Sequence, residues 1–229
     1  MPSFKKTLHF LSSALATSIS IGLLGFAMSA QWSKTTMICA RSGTGLFNGT
    51  AVVTLELFGG NLQRSSCPSF GSIDDFPVIP TLMEAKDETS LVLHGLVLCL
   101  LVLCLVFSAG SILISLYNSV SNPYETYMGP VGVYTCSSLS ACLSVLALII
   151  FVLNVIVTNM TEELVKNFVQ VDLKDKVSEV QLGFYLVIPY TVLSLLAIAL
   201  IYMYDHAAYT HRREQQRPTE DAPKEIMMY

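Results

Sequence analysis

The sequence predicts an all-α membrane protein: a four-transmembrane-helix bundle with a small β-containing extracellular cap. Three observations predict it. Only 13% of the 229 side chains are charged while 52% are hydrophobic, against about 25% charged in an ordinary soluble domain. The deficit is confined to residues 7–33, 89–124, 126–161 and 180–204, which contain no Asp, Glu, Lys or Arg. Each block exceeds the roughly 20 residues an apolar helix needs to cross a bilayer. Between the first two blocks, Cys39 and Cys67 flank a glycosylation sequon and an alternating apolar run, features of a folded segment in an oxidising compartment. The pattern excludes a soluble globular enzyme. The net charge of −4 also argues against a nucleic-acid module.

In chain order the reading gives a cytoplasmic N-terminus at 1–7, spans at 8–30, 91–117, 133–157 and 184–204, an extracellular loop at 31–90, a cytoplasmic loop at 118–132, a second extracellular loop at 158–183 and a disordered cytoplasmic tail at 205–229. The spans must be helices, because an isolated strand leaves its backbone groups unsatisfied in lipid. The first block has the basic start of a signal peptide in Lys5 and Lys6. Its apolar run is longer than the usual 7–15 residues of a signal core, which favours an uncleaved helix. Ser18, Gly22, Gly25 and Ser29 place small residues near one face of it, where another helix could pack closely. Lys and Arg are balanced between the two sides, so orientation rests on local features. Lys5 and Lys6 abut the first span and Arg212, Arg213 and Arg217 follow the last, which puts both termini in the cytoplasm.

Cys99, Cys104, Cys136 and Cys142 lie within the spans and read as small apolar filler, although Cys136, near the cytoplasmic end, also has the position of a palmitoylation site. Cys39 and Cys67 lie outside the spans in one loop and allow one bridge. A bridge closing that loop is worth about 3–4 kcal/mol in the chain-entropy model; the alternative is two free thiols. Asn48-Gly49-Thr50 lies between them and fits the glycosylation acceptor. A second sequon, Asn159-Met160-Thr161, stands too close to the third span to be well placed for glycosylation.

Residues 50–58 alternate, with Val53, Leu55 and Leu57 on one side and Thr54, Glu56 and Phe58 on the other, the period of a strand. Gly59-Gly60 ends the run. Residues 68–88, with three prolines, read as irregular. Leu164, Val165, Phe168 and Val169 follow Thr161-Glu162-Glu163 at near-helical spacing and suggest an extension of the third helix.

Within the spans there is no Asp, Glu, Lys or Arg, the residues that mark ion pathways and proton relays. His94 reads as an interfacial or packed residue, Asn154 as a hydrogen-bonding partner between helices and Pro189 as a tolerated kink. Ser108-Ala109-Gly110-Ser111 and Ser137, Ser140, Ala141 and Ser144 fit close packing in a left-handed bundle. No nucleophile elbow, zinc motif or phosphate loop is present, so no catalytic residue, metal or cofactor is assigned. Composition leaves a homo-oligomer open. The tail ends Ile226-Met227-Met228-Tyr229, and Met227 with Tyr229 matches the spacing of a hydrophobic PDZ ligand, which binds by strand addition.

Trp32 just after the first span, Tyr117-Asn118, then Pro123, Glu125 and Thr126, and then Gly129, Pro130, Gly132 and Tyr134 form a series that resembles the clarin family along essentially the whole chain. The N-terminal start, the middle loop and the Gln-rich tail are most similar to the third clarin paralogue. The Cys39, Asn48 and Cys67 placement looks more like the first two. The resemblance implies a claudin-like four-span protein, with Trp32 and the cysteine-bearing first loop similar to features of that wider group. It also implies a link to sensory hair-cell (hearing) membranes, synapses and the actin cytoskeleton. The resulting expectation is a non-enzymatic multi-pass organiser of the plasma membrane. Its expected partners are membrane lipids and membrane or scaffold proteins, including a PDZ domain or an actin-linked scaffold, and no nucleic acid. The alternative is an auxiliary subunit of an ion channel or transporter.

Overall fold

The structure, a computed structural model, describes residues 4–41, 45–65, 73–85, 88–120, 129–166 and 172–216. Four long helices, α1 (Phe4–Ser29), α3 (Glu88–Val120), α4 (Gly129–Ile156) and α6 (Leu182–Gln216), form a bundle. All four are long and apolar enough to cross a membrane. Helix α1 packs on α3 and α6, and α4 completes the ring between them. Between α1 and α3 the chain makes β1 (Ser33–Arg41), β2 (Gly45–Leu55), β3 (Gly59–Ser65), β4 (Ile73–Pro77) and the short α2 (Val78–Ala85). Between α4 and α6 it makes α5 (Met160–Lys166) and β5 (Asp172–Val180). The strands form one antiparallel sheet in the order β4-β3-β2-β1-β5, so both loops on one side of the bundle build a single cap.

The bundle is ordered by a 3.5-residue period. Buried positions on α3 run Ser90, His94, Val97, Leu101, Cys104, Ser108, Ser111, Ser115 and Asn118. On α4 they run Val133, Ser137, Ser140, Ser144, Ala147, Phe151 and Asn154. Steps of three and four sustained over a whole helix give the seam of a left-handed bundle. The seam is rich in serine while leucine, isoleucine and valine face outward. In lipid there is no hydrophobic gain from pairing apolar faces, so close packing of small residues and interhelical hydrogen bonds hold the helices together. Ser111 Oγ meets Ser137 Oγ at 3.0 Å, Ser144 Oγ meets Thr191 Oγ1 at 2.8 Å, and Ser108 Oγ meets the Tyr190 hydroxyl at 2.8 Å. These three contacts tie α3 to α4, α4 to α6 and α3 to α6.

The cap has its own core. Met37, Cys39, Ala51, Val53, Leu55, Leu62 and Phe76 on one face of the sheet pack against Val78 and Leu82 of α2 and Met160, Leu164 and Val165 of α5. An ion pair between Arg64 and Asp74 joins β3 to β4, and one between Lys176 and Glu162 joins β5 to α5.

Several sequence expectations are corrected here. The alternating run of 50–58 is a strand only to Leu55; Glu56, Leu57 and Phe58 make the turn into β3. Residues 73–85 are not irregular. Pairing with β3 carries the Asp-rich β4 despite its low strand propensity, and Pro80 sits in the first turn of α2, where a missing N–H costs nothing. The helix after α4 is a separate element: Asn159 adopts φ 55° and its carbonyl accepts the Glu162 N–H at 2.9 Å, so the chain turns before α5 begins. The tail from 205 does not begin disordered, because α6 continues to Gln216 through a stretch free of proline and glycine. Ser18, Gly22, Gly25 and Ser29 face away from the bundle, and a Cβ on Gly22 or Gly25 would meet nothing within 4 Å.

Gly183 is the opposite case. A Cβ there would stand 2.5 Å from Trp32 Cδ1 and 2.9 Å from the Ala27 carbonyl. Gly183→Ala is therefore expected to destabilise the protein by about 1–3 kcal/mol, as overpacking does. Gly22→Ala is expected to be neutral or stabilising, by up to about 1 kcal/mol from helix propensity. Thermal unfolding of the two variants in detergent checks the contrast.

Candidate functional site

The residues with the densest set of specific contacts lie where the cap meets the bundle. Trp32 follows α1 by three residues and is fully buried. Its indole Nε1–H donates to the Ala27 carbonyl at 2.7 Å, which satisfies one of the orphan acceptors at the end of α1. Its backbone N–H donates to the Leu55 carbonyl at 2.8 Å and its own carbonyl accepts from Gln181 N–H at 2.9 Å. One residue thus joins the end of α1, the end of β2 and the start of α6. Phe151 of α4 meets the indole edge-on with ring centroids 4.9 Å apart, and Phe184 of α6 does so at 6.4 Å.

A second latch lies beside it. The buried His94 on α3 holds its Nε2 at 2.7 Å from the Leu57 carbonyl, in the turn between β2 and β3. A carbonyl only accepts, so this nitrogen carries the proton. Leu57 is buried with Trp32, Val97, Leu100, Leu101 and Phe151 in the core of the bundle's cap-side half. Asn154 completes the α3–α4 side: its Nδ2 donates to the Ser90 carbonyl at 3.2 Å, and its Oδ1 accepts from Thr158 at 2.7 Å. Sequence reasoning assigned His94 and Asn154 packing and bridging roles, and these contacts are of that kind. Gly183 was missed. A glycine at a helix start reads as a local cap, and the indole it accommodates lies far earlier in the chain.

The other sequence-selected residues fall elsewhere. Cys39 is buried in the cap core and disulfide-bonded, whereas Cys99, Cys104, Cys136 and Cys142 are free thiols. Cys67 lies outside the described residues. The backbone of Asn48 is in β2, and its side chain is not among those described. Gly129 begins α4 with φ 31° and is followed by Pro130 in the first turn, where proline is favoured. Gly132 is buried in the α4 seam, and Tyr134 packs with Phe10, Val133 and Ile201 at the end of the bundle away from the cap. Pro123, Glu125, Thr126, Met227 and Tyr229 lie outside the described residues. Those candidate residues that are described lie dispersed over the cap and the bundle. Among the described residues, no group of three or more His, Cys, Asp or Glu could hold a metal ion.

The solvent face of the sheet carries an open groove of about 810 Å³ whose lining includes Gln31, Glu56, Phe58, Asn61, Asp75 and Pro77. Strand register lays out this face: Glu179, Lys34, Thr54, Asn61 and Asp75 lie side by side across the five strands, and Thr54, Asn61 and Asp75 line the groove. Asn61 Nδ2 donates to Asp75 at 2.7 Å. The surface is mixed, with carboxylates, amides and an exposed phenyl ring.

Four spanning helices with a sheet folded from both loops on one side define a tetraspan, multi-pass integral membrane protein. Comparison with known proteins gives it a family. The Clarin-2-like family model matches residues 4–201. The chain is 32% identical to Clarin-3 of Mus musculus and 31% identical to Clarin-3 of Homo sapiens, each over 100% of both chains. It is 24% identical to Clarin-1 of Homo sapiens over 72% of each. The chain belongs to the clarin family.

The bundle seam and the junction make separable contributions. Tyr190→Phe removes the hydroxyl that meets Ser108 and donates to the Cys104 carbonyl at 3.2 Å, and it is expected to cost roughly 0.6–1.7 kcal/mol, the range for hydrogen bonds within bundles. Trp32→Phe removes the Ala27 bond and part of the ring contact, and it is expected to cost more, about 2–4 kcal/mol. Equilibrium unfolding in mild detergent ranks the two; equal losses would show the junction to be no more important than any seam contact.

Proposed function

We propose that the protein is a non-enzymatic organiser of the plasma membrane, with a rigid bundle that presents an extracellular recognition cap on one side and a cytoplasmic tail on the other. The observation that carries the reading is the junction. Trp32 and His94 fix the sheet to the helices through buried hydrogen bonds, so the cap's face is held in a set orientation to the membrane. An organiser needs that pre-orientation, because it reduces the ordering cost of binding a partner. The described interior is lined mostly by serine, threonine and apolar residues, and its His94 and Asn154 are engaged in hydrogen bonds to backbone carbonyls, which supports a packing role for them.

In this reading the cap follows a claudin-like plan and is stapled by Cys39 and Cys67. The support is that Cys39 is disulfide-bonded while the other described cysteines are free. The staple and a glycan on Asn48 both require the oxidising side of the membrane, which leaves both termini in the cytoplasm. Met227 and Tyr229 then offer the tail to a PDZ-type, actin-linked scaffold, in the sensory-cell setting that the family resemblance implies.

The bridge and the topology are tested together. Cys39→Ser and Cys67→Ser are expected to reduce surface delivery equally, with the double variant no worse, and Asn48→Gln is expected to abolish a glycosidase-sensitive mobility shift. A tail epitope is expected to be reached by antibody only after permeabilisation. Additive cysteine defects would contradict the staple, and a tail accessible on intact cells would contradict the orientation.

A further inference from the structure

The geometry points to a lipid-anchoring site on the cap: Phe58 of the β2–β3 turn, with Ile79 and Met83 of α2, inserts into the head-group region of the leaflet on the cap side. Helix α3 has 33 residues, about 50 Å at the rise of an α-helix, whereas the hydrocarbon core is only about 30 Å thick. A core centred on Cys104, the midpoint of α3, reaches its cap-side boundary near His94, about ten residues away.

That boundary residue holds the turn. His94 Nε2 is bonded to the Leu57 carbonyl, and Leu57 is buried in one core cluster with Val97 and Leu101, at or below the boundary. Phe58 comes next and is 57% exposed, so a large apolar ring faces away from the protein at the level where hydrocarbon gives way to head groups. Its carbonyl accepts the Val78 N–H at 3.1 Å, which fixes the start of α2 beside it. Val78 and Leu82 belong to the cap core against which Leu91 of α3 packs, and Leu91 stands three residues or about 4.5 Å above His94. Head-group regions add roughly 5–7 Å on each side of the core, so α2 lies within one. It leaves Met83 63% and Ile79 37% exposed. Val92 and Leu96 of α3 are exposed at the same depth, where the bundle's own surface faces lipid, so the patch lies at a level where lipid surrounds the protein. The occupant is therefore lipid. Glu56 and Asp75 beside Phe58 select a neutral or zwitterionic head group over an anionic one. The inference holds whichever side of the membrane carries the cap.

Single-tryptophan additions test it in the full chain, reconstituted in phosphatidylcholine vesicles, read as emission added to that of Trp32. Phe58→Trp and Met83→Trp are expected to be quenched by phosphatidylcholine brominated near the glycerol end of the acyl chain and shielded from aqueous acrylamide. Both positions are exposed, so either variant suffices if the other misfolds. Ile73→Trp is the internal contrast. Ile73 is exposed and stands at the opposite end of β4 from Pro77, about 13 Å along the strand, so acrylamide and not bromolipid should quench it. Admixing phosphatidylserine is expected to leave the bromolipid quenching of Phe58→Trp unchanged or weaker. Acrylamide quenching of Phe58→Trp and Met83→Trp without bromolipid quenching would overturn the proposal, as would protection from both quenchers, which would mean that another protein surface, such as a second copy, covers the patch.

Discussion

The structure depends on how a sheet is attached to a bundle whose helices have no hydrophobic reason to associate. Trp32 supplies the attachment. Its indole nitrogen closes the end of α1 through Ala27, its backbone joins β2 and the lead into α6, and its ring packs on Phe151 of α4. A residue with so many partners is sensitive to space on every side, which is why Gly183 cannot carry a side chain where α6 passes the indole. His94 adds the corresponding contact from α3, so all four spanning helices touch the cap or the ring beneath it.

The two halves of the molecule use different physics. The cap has a conventional apolar core between a sheet face and two short helices, and water drives its formation. The bundle buries serine and threonine and turns leucine outward, the distribution expected where lipid is the solvent. The junction lies at the boundary between these regimes, where an amphipathic indole and a histidine each bury an apolar body and direct a donor at a backbone carbonyl. A cap fixed in this way has one orientation relative to the bundle.

The legibility of the sequence follows the same division. The spans were readable because absence of charge over more than 20 residues has few other meanings, and the serine clusters at helical spacing were correctly assigned to packing. Strand β5 was not readable. Asp172-Leu-Lys-Asp-Lys-Val-Ser-Glu-Val carries charges at alternate and adjacent positions, as edge strands do, and it becomes a strand only because β1 pairs with it from the other loop. Strand β4 and helix α2 were hidden by aspartates and prolines for the same reason: partners distant in sequence override local propensity. Trp32 was noticed as a family mark. Its structural task was not visible, because that task is defined by Leu55, Gln181 and Gly183 converging in space. Pro123, Glu125 and Thr126, within the 117–134 stretch that carries the most specific resemblance, lie outside the described residues.

The central claim is that cap and bundle form one cooperative unit through the Trp32 junction. Trp32 is the only tryptophan in the chain, so its emission reports the junction directly. Denaturant unfolding in detergent micelles can follow that emission together with amide hydrogen exchange in β1, β2 and β5. The account predicts one shared midpoint, with the indole becoming solvent-exposed as the sheet loses protection. A sheet that loses protection at low denaturant while Trp32 stays buried would contradict it.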